Sequence, residues 1–106
     1  TFFTSPPTLP GIKLLKNKIE SIGVKFDYYK LDLSIEEEID YVCNNIKEKY
    51  NKIDVLINNA ALSMDNSFLE KTKEEFMKVL EVNLVGPFLI IQKIRRSRKC
   101  YRDRRL

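Results

Sequence analysis

The chain alternates extended and helical sequence patterns in the order that builds a parallel sheet. Residues 24–31 are rich in aromatic and β-branched side chains, which predicts a strand. Residues 34–50 carry apolar side chains at helical spacing, and the short apolar run 53–58 predicts a second strand, of the kind covered on both faces. Because strand, helix and strand in this order form a crossover between parallel strands, the sequence predicts an α/β fold.

The amino-terminal part of the chain is predicted to be irregular and then helical. Residues 1–11 contain three of the four prolines, which favours an irregular lead-in. Apolar side chains then recur at helical spacing over residues 12–22. Gly23 is well placed to end this helix.

Two capping boxes predict where later helices begin. In each, a hydroxyl side chain and a glutamate three positions later bond reciprocally to the backbone of the first turn. The helix that starts with the second box is predicted over residues 72–94, and its Gly86-Pro87 pair is expected to bend it rather than end it. The two boxes are Ser34 with Glu37, and Thr72 with Glu75.

The amino-acid composition limits the class of protein and the catalytic and metal-binding groups that the chain can contain. Apolar residues make up 43% of the 106 residues and charged residues 32%, which is typical of a single globular domain. No apolar run has the length of a membrane span and no secretory signal is visible, so we expect a cytoplasmic protein. The absence of histidine removes the usual general base and the commonest transition-metal ligand, and we predict no metal site. Cys43 is interpreted as a small buried hydrophobe.

Positive charge is concentrated at the carboxyl end. Residues 93–106 contain eight cations and one acid, and all six arginines of the chain lie within residues 95–106. We interpret residues 95–106 as a basic tail that is disordered or non-native. Such a run binds phosphate in a salt-dependent way, but most basic runs are solvated and the body offers no helix to read bases. A role in nucleic-acid binding is therefore not predicted.

The first candidate site lies at the carboxyl end of predicted strand 24–31, where Asp32 is followed by Leu33. Ligands of open α/β sheets gather at the carboxyl ends of strands. A carboxylate there can accept a hydrogen bond from an adenine amino group, and a neighbouring backbone N–H can donate in return. The alternative is that Asp32 only favours the start of the next helix through the helix dipole.

The second candidate site is the run Asn58-Asn59-Ala60-Ala61, directly after the apolar strand 53–58. Small side chains at this position let a ligand approach the backbone closely. An asparagine side chain can also bond to neighbouring main chain and hold an irregular turn. The alternative is an ordinary turn from strand to loop.

The third candidate is Asn83, an asparagine inside a predicted helix, where this residue type is disfavoured. Pro87 follows four residues later and has no N–H, so the Asn83 carbonyl loses its normal intrahelical donor. That carbonyl is then free to bind water or another donor. The alternative is a kinked structural helix in which the asparagine caps the gap.

Together these three motifs resemble the short-chain dehydrogenase/reductase family over residues 24–94. Asp32 occupies the position of the family's adenine-contacting aspartate. The run 58–61 is similar to the family's Asn-Asn-Ala-Gly signature, with Ala61 in place of the glycine. Asn83, within the run 82–88, is similar to the asparagine that anchors a proton-relay water in the family.

The resemblance implies a partial doubly wound (Rossmann-type) sheet, with residues 12–94 as a partial nucleotide-binding domain. It implies that NAD or NADP is the cofactor, with cofactor contacts from Asp32, Leu33, Asn59, Ala60 and Ala61 and a catalytic role for Asn83. The implied reaction transfers a hydride between the nicotinamide and a small carbonyl or alcohol substrate. The family also implies a homo-oligomer formed through helix 72–94.

Besides Ala61, the sequence departs from the family pattern in two further places. No glycine-rich turn is present, and the residue four positions after each tyrosine is never lysine, so the Tyr-x-x-x-Lys pair is absent. The resemblance therefore predicts a fragment of a reductase that is inactive alone. The alternative is a non-catalytic interaction protein that pairs with full-length reductase subunits.

Overall fold

The computed structural model describes residues 9–50 and 52–95, and the contacts between residues divide the chain into two units, Thr1–Asp32 and Leu33–Leu106. The predictions for residues 1–8 and 96–106 lie outside the described residues. The described part contains four α-helices and one π-helical segment. These are α1 (Leu9–Ser21), α2 (Glu36–Lys49), α3 (Lys73–Leu80), the π segment (Glu81–Val85) and α4 (Gly86–Arg95).

In the first unit, helix α1 begins earlier than predicted. It starts at Leu9 rather than at residue 12, so residues 9–11 of the expected lead-in are helical. Pro10 is tolerated there because the first helical turn needs no intrahelical N–H donor. The helix ends before Gly23, as predicted. Gly23 has a φ of 81°, in the left-handed region that favours glycine, and its N–H donates to the Glu20 carbonyl at 3.0 Å.

The first predicted strand is not a paired strand in the structure. No strand is assigned among residues 9–50 and 52–95. Residues 24–31 nevertheless bury two of their apolar side chains, Phe26 and Leu31, whereas Tyr28 is exposed. In a strand Phe26 and Tyr28 would share one face and Leu31 would lie on the other, so this burial does not follow the alternation of a half-buried strand.

In the second unit, helix α2 shows that the first capping box was wrongly predicted. The helix begins at Glu36 with Ile35 in the capping position, and no side chain forms a cap hydrogen bond there. Ser34 lies one residue before this capping position. Glu36, Glu37 and Glu38 occupy that turn instead, where negative charge is favoured by the helix dipole.

The buried core of the second unit lies between α2 and α4. Four apolar side chains of α2 are buried, and Ile90 is buried on α4. Burying a Val or Ile side chain contributes about 1.5–3 kcal/mol, and these side chains lie on two helices in contact with each other. At its edge, the Lys93 ammonium pairs with Glu36 at 3.2 Å and with Asp40. The buried α2 residues are Ile39, Val42, Cys43 and Ile46.

The second predicted strand is exposed instead of covered on both faces. Val55 is 74% exposed and Ile57 is 79% exposed. A parallel strand of this kind is buried only when neighbouring strands and helices cover it. None of the described residues forms such a strand, and Val55, Leu56 and Ile57 remain exposed.

The second capping box is confirmed, and the helix it opens contains a distortion near Pro87. The Thr72 hydroxyl accepts from the Glu75 N–H at 3.2 Å, and the Glu75 carboxylate accepts from the Thr72 N–H at 2.8 Å. The helical path continues past Pro87, as predicted, but its distortion is a π-helical turn in which the Gly86 N–H donates to the Glu81 carbonyl. A proline ring clashes with the carbonyl four residues before it, and the wider π turn relieves this clash.

Gly86 opens α4 at a close approach to the backbone of Leu33. A Cβ atom on Gly86 would lie 2.7 Å from the Leu33 carbonyl oxygen and 2.9 Å from the Leu33 Cβ. Both Gly86 and Leu33 are buried. Only glycine fits here without moving backbone.

We therefore expect Gly86→Ala to lower the free energy of unfolding by about 1–3 kcal/mol, the usual cost of overpacking a core. The matched control is Gly11→Ala, at an exposed position of α1, which should be neutral or stabilising by up to about 1 kcal/mol. Urea unfolding followed by circular dichroism at the helical band measures both. Equal midpoints for Gly86→Ala and the unaltered chain would contradict the close approach.

Candidate functional site

Asn83 uses its side chain to bind the backbone of Leu62. The Leu62 N–H donates to Asn83 Oδ1 at 2.7 Å, and Asn83 Nδ2 donates to the Leu62 carbonyl at 2.9 Å. The Asn83 amide thus bonds to both backbone polar groups of Leu62, a residue 21 positions earlier in the sequence. Because Leu62 directly follows Ala61, the structure brings the predicted relay residue to the end of the predicted cofactor turn.

The main-chain carbonyl of Asn83 lies in the π segment. In a regular α-helix the amide of residue 87 would donate to it, and Pro87 has no amide hydrogen. π turns of this kind occur often at functional sites. The side chain of Asn83 therefore holds the loop, while a role for its carbonyl in binding water stays a prediction.

The residues of the predicted cofactor turn are accessible. Asn59 and Ala61 are exposed and Ala60 is partly exposed. Their short side chains leave the backbone open to a flat ligand. This surface fits the close approach that was predicted for the run 58–61.

Asp32 and Leu33 fall in different units. Asp32 is exposed at the end of the first unit, whereas Leu33 is buried at the start of the second. Leu33 meets Gly86, as described above, so its side chain has a packing role.

The loop between the cofactor turn and α3 is held by hydrogen bonds that the sequence did not indicate. Lys71 Nζ donates to the Met64 carbonyl at 3.0 Å. Asn66 Nδ2 donates to Glu75 Oε2 at 2.9 Å. The Ser67 carbonyl accepts from the N–H groups of residues 70 and 71 at 3.1 Å each. Only the Thr72 capping box, at the end of this loop, had a recognisable sequence signal.

Hydrogen bonds shift the pKa values of Glu75 and Lys93 in the second unit. The pKa of Glu75 is lowered from its ordinary value of 4.5, mainly because the Thr72 backbone N–H donates to the carboxylate and then because the Asn66 amide does. The pKa of Lys93 is raised, mainly by its hydrogen bond to Asp40.

Cys43 is confirmed as a buried hydrophobe. It lies in the core face of α2 and is a free cysteine. Burial raises the pKa of its thiol, with a smaller opposing effect from the nearby Lys47 and Lys93 charges. A thiol that resists ionisation is a poor nucleophile, so Cys43 has a packing role.

None of the helices in the described ranges combines the length and the apolar character needed to cross a membrane.

The Glu75 hydrogen bonds predict a pH-dependent stability. A folded pKa below the unfolded one gives stabilisation that is present above the ordinary glutamate pKa and is lost as the pH falls through the folded pKa. Glu75→Gln keeps a hydrogen-bond acceptor for the capping box but does not ionise. The unaltered chain should therefore be more stable than Glu75→Gln at pH 7, and the difference should vanish in acid.

Urea midpoints measured between pH 7 and pH 3 test this expectation. The control is Glu74→Gln, which removes a charge from the same helical turn without touching the Thr72–Glu75 pair. A difference between the unaltered chain and Glu75→Gln that stays constant with pH would contradict the argument.

Comparison with known proteins gives a family for the sequence. The short chain dehydrogenase family matches residues 9–100. The chain is 37% identical over 71 residues to a short-chain dehydrogenase/reductase of Armillaria gallica, which covers 67% of the chain and 27% of that relative. It is 32% identical over 80 residues to the 3-oxoacyl-[acyl-carrier-protein] reductase of Thermotoga maritima, covering 76% of the chain and 32% of that relative. The chain thus spans about a third or less of the length of these curated relatives.

Comparison with solved structures shows which fold the chain resembles. A metagenomic short-chain oxidoreductase in complex with NADP has a TM-score of 0.77 at 20% identity, covering 91% of this chain and 43% of that one. A metagenomic blue fluorescent protein in complex with NADPH has a TM-score of 0.80 at 20% identity, covering 91% and 39%. At this identity the likeness shows the fold alone, which is the Rossmann type that the sequence predicted. The predicted partial sheet, however, is not assigned within residues 9–50 and 52–95.

The match over most of the sequence, the order of the three motifs and the backbone likeness all agree. The chain belongs to the short-chain dehydrogenase/reductase family.

Proposed function

We propose that this chain supplies the adenosine side of the cofactor site in an NAD- or NADP-dependent oxidoreductase. The observation that carries the proposal is the pair of hydrogen bonds between Asn83 and Leu62, at 2.7 and 2.9 Å. They fix the backbone directly after the exposed small residues 60 and 61, where a dinucleotide would approach. Solved relatives that share the fold are described as complexes with NADP and NADPH, which supports a nicotinamide cofactor.

In this proposal each predicted residue has a distinct part. The Asp32 carboxylate and the Leu33 backbone recognise the adenine, and Asn59 with the short side chains of Ala60 and Ala61 provides a surface for the rest of the adenosine. The Asn83 carbonyl holds a water of the proton relay. When bound, the nicotinamide would donate or accept the hydride at the carbon of a small carbonyl or alcohol substrate.

The proposal assigns cofactor binding to this chain but not hydride transfer. The accessible turn 59–61 supports binding, but the sequence has no Tyr-x-x-x-Lys pair to give the substrate oxygen its proton. The chain alone is therefore proposed to bind cofactor without catalysing hydride transfer. Measurable oxidation of NADPH by the purified chain with a carbonyl substrate would contradict this part.

The binding part is tested with Ala61→Leu. A leucine side chain at this exposed position would block approach to the backbone, so the affinity for NADPH should fall by about tenfold or more, as a steric obstruction of a close contact requires. The control is Ser63→Leu, an equally exposed position two residues further on. NADPH fluorescence titrations measure both. Equal affinities for Ala61→Leu and the unaltered chain, or no binding by either, would contradict the proposed site.

We further propose that the helix 72–94 forms a contact between copies of the chain. Four large apolar side chains along it are 47–64% exposed, at spacings of three to eight residues that place them near one helical stripe. An exposed apolar stripe on a surface helix is typical of an association surface. The four are Phe76 at 53%, Leu84 at 64%, Phe88 at 58% and Ile91 at 47%.

Phe88→Glu is expected to shift the chain toward the monomer, because it places a charge in the proposed contact. The matched control is Phe68→Glu, which changes the same residue type at a site that is 91% exposed and lies off the helix. Light scattering coupled to size-exclusion chromatography gives the mass of each. The contact is excluded if the unaltered chain is monomeric or if the two variants behave alike.

A further inference from the structure

The loop 62–72 is closed by a lysine that bonds to main chain. Lys71 is partly buried, and its ammonium donates to the Met64 carbonyl at 3.0 Å. Two backbone hydrogen bonds to the Ser67 carbonyl tighten the turn between these residues. A lysine ammonium is usually hydrated. Here it bonds to the Met64 carbonyl instead, and this bond holds the loop in a shape that the backbone alone would not hold.

Both ends of the same loop are also fixed. At its start, Leu62 is bound by the Asn83 amide. At its end, Glu75 accepts from the Thr72 N–H and from the Asn66 amide. The Asn66 Oδ1 atom is buried without a hydrogen-bond partner in the part of the chain that the structure describes. Burying the Asn66 carbonyl oxygen without a hydrogen bond costs free energy. The hydrogen bond from Asn66 Nδ2 to Glu75 offsets this cost.

The cofactor turn 59–61 depends on this loop for its position. On its upstream side, Val55 and Ile57 are largely exposed. Within the described ranges, the tertiary hydrogen bonds of residues 55–64 fall at Leu62 and Met64 only. The turn is therefore held from its downstream side.

We infer that Lys71 is a positioning residue for the cofactor turn. By holding the Met64 carbonyl, it keeps the loop in the shape in which the Leu62 backbone meets Asn83, and Leu62 in turn fixes Ala61. The part of this inference that concerns the cofactor rests on the proposed function. The part that concerns Leu62 stands on the hydrogen bonds alone.

Three variants test the inference. Lys71→Met keeps the length of the side chain and removes its donor, whereas Lys71→Arg keeps a donor and should rescue the loss. Lys73→Met is the control, since Lys73 is an exposed lysine in the first position of α3. If Lys71→Met loses its helical circular dichroism, Lys71→Gln takes its place, because it stays polar but is shorter.

The first readout is hydrogen exchange at the Leu62 amide, whose hydrogen is bonded to Asn83. Protection should fall by about tenfold in Lys71→Met, as for a local opening, and stay near its original value in Lys71→Arg and Lys73→Met. The second readout is NADPH affinity, which should weaken by about threefold to tenfold in Lys71→Met only, the usual range for coupling through an intermediate residue.

The outcomes separate the two proposals. Unchanged exchange at Leu62 in Lys71→Met overturns the positioning role, as does an equal change in Lys73→Met or a failure of Lys71→Arg to rescue. If exchange changes as expected but the unaltered chain does not bind NADPH, the proposed function fails while the role of Lys71 in fixing Leu62 stands. If NADPH binds equally well to Lys71→Met despite the change in exchange, the link from Leu62 to the cofactor turn is overturned.

Discussion

The pairing of the Asn83 side chain with the Leu62 backbone joins the two parts of the second unit that matter most for function. It connects a distorted helix to the loop that leaves the cofactor turn, over 21 positions of sequence. Each neutral hydrogen bond contributes only about 0.5–1.5 kcal/mol, so the importance of the pair lies in geometry rather than in stability. With Leu62 held, the small residues before it have a defined place.

Helix packing supplies the rigidity on which this pairing depends. The buried face of α2 lies against α4, and Gly86 lets α4 start within contact distance of the Leu33 backbone. The π turn directly before Gly86 carries Asn83 and accommodates Pro87. One short stretch of sequence therefore sets the packing of α4, the distortion of the helix and the position of the functional asparagine.

The apolar segment 53–58 shows how much of a Rossmann-type fold depends on neighbours. Its sequence is that of a fully covered strand, yet Val55 and Ile57 are largely exposed. The chain covers about 40% of the solved structures it resembles, and a parallel strand is stable only within a sheet covered on both faces. The likeness in backbone path is compatible with the lack of strand pairing among residues 9–50 and 52–95, because pairing needs partner strands.

Local signals were predicted well where they depend on a few adjacent residues. The Thr72–Glu75 capping box and the end of α1 at Gly23 were correctly predicted, since a cap and a left-handed glycine are short-range features. The Ser34 box was wrong because the capping position of α2 is Ile35, one residue later than the motif predicts. The bonds from Lys71 and Asn66 had no signal at all, because they join residues whose proximity arises only when the loop closes.

The sequence by itself determined the family, through the resemblance of its three motifs, and the apolar face of α2, which follows from helical periodicity. Tertiary structure decided what Asn83 does with its side chain, why residue 86 has to be glycine, and which apolar residues remain in water. Those outcomes depend on distances between residues far apart in the chain. Such distances are fixed by packing and loop closure, which no local pattern records.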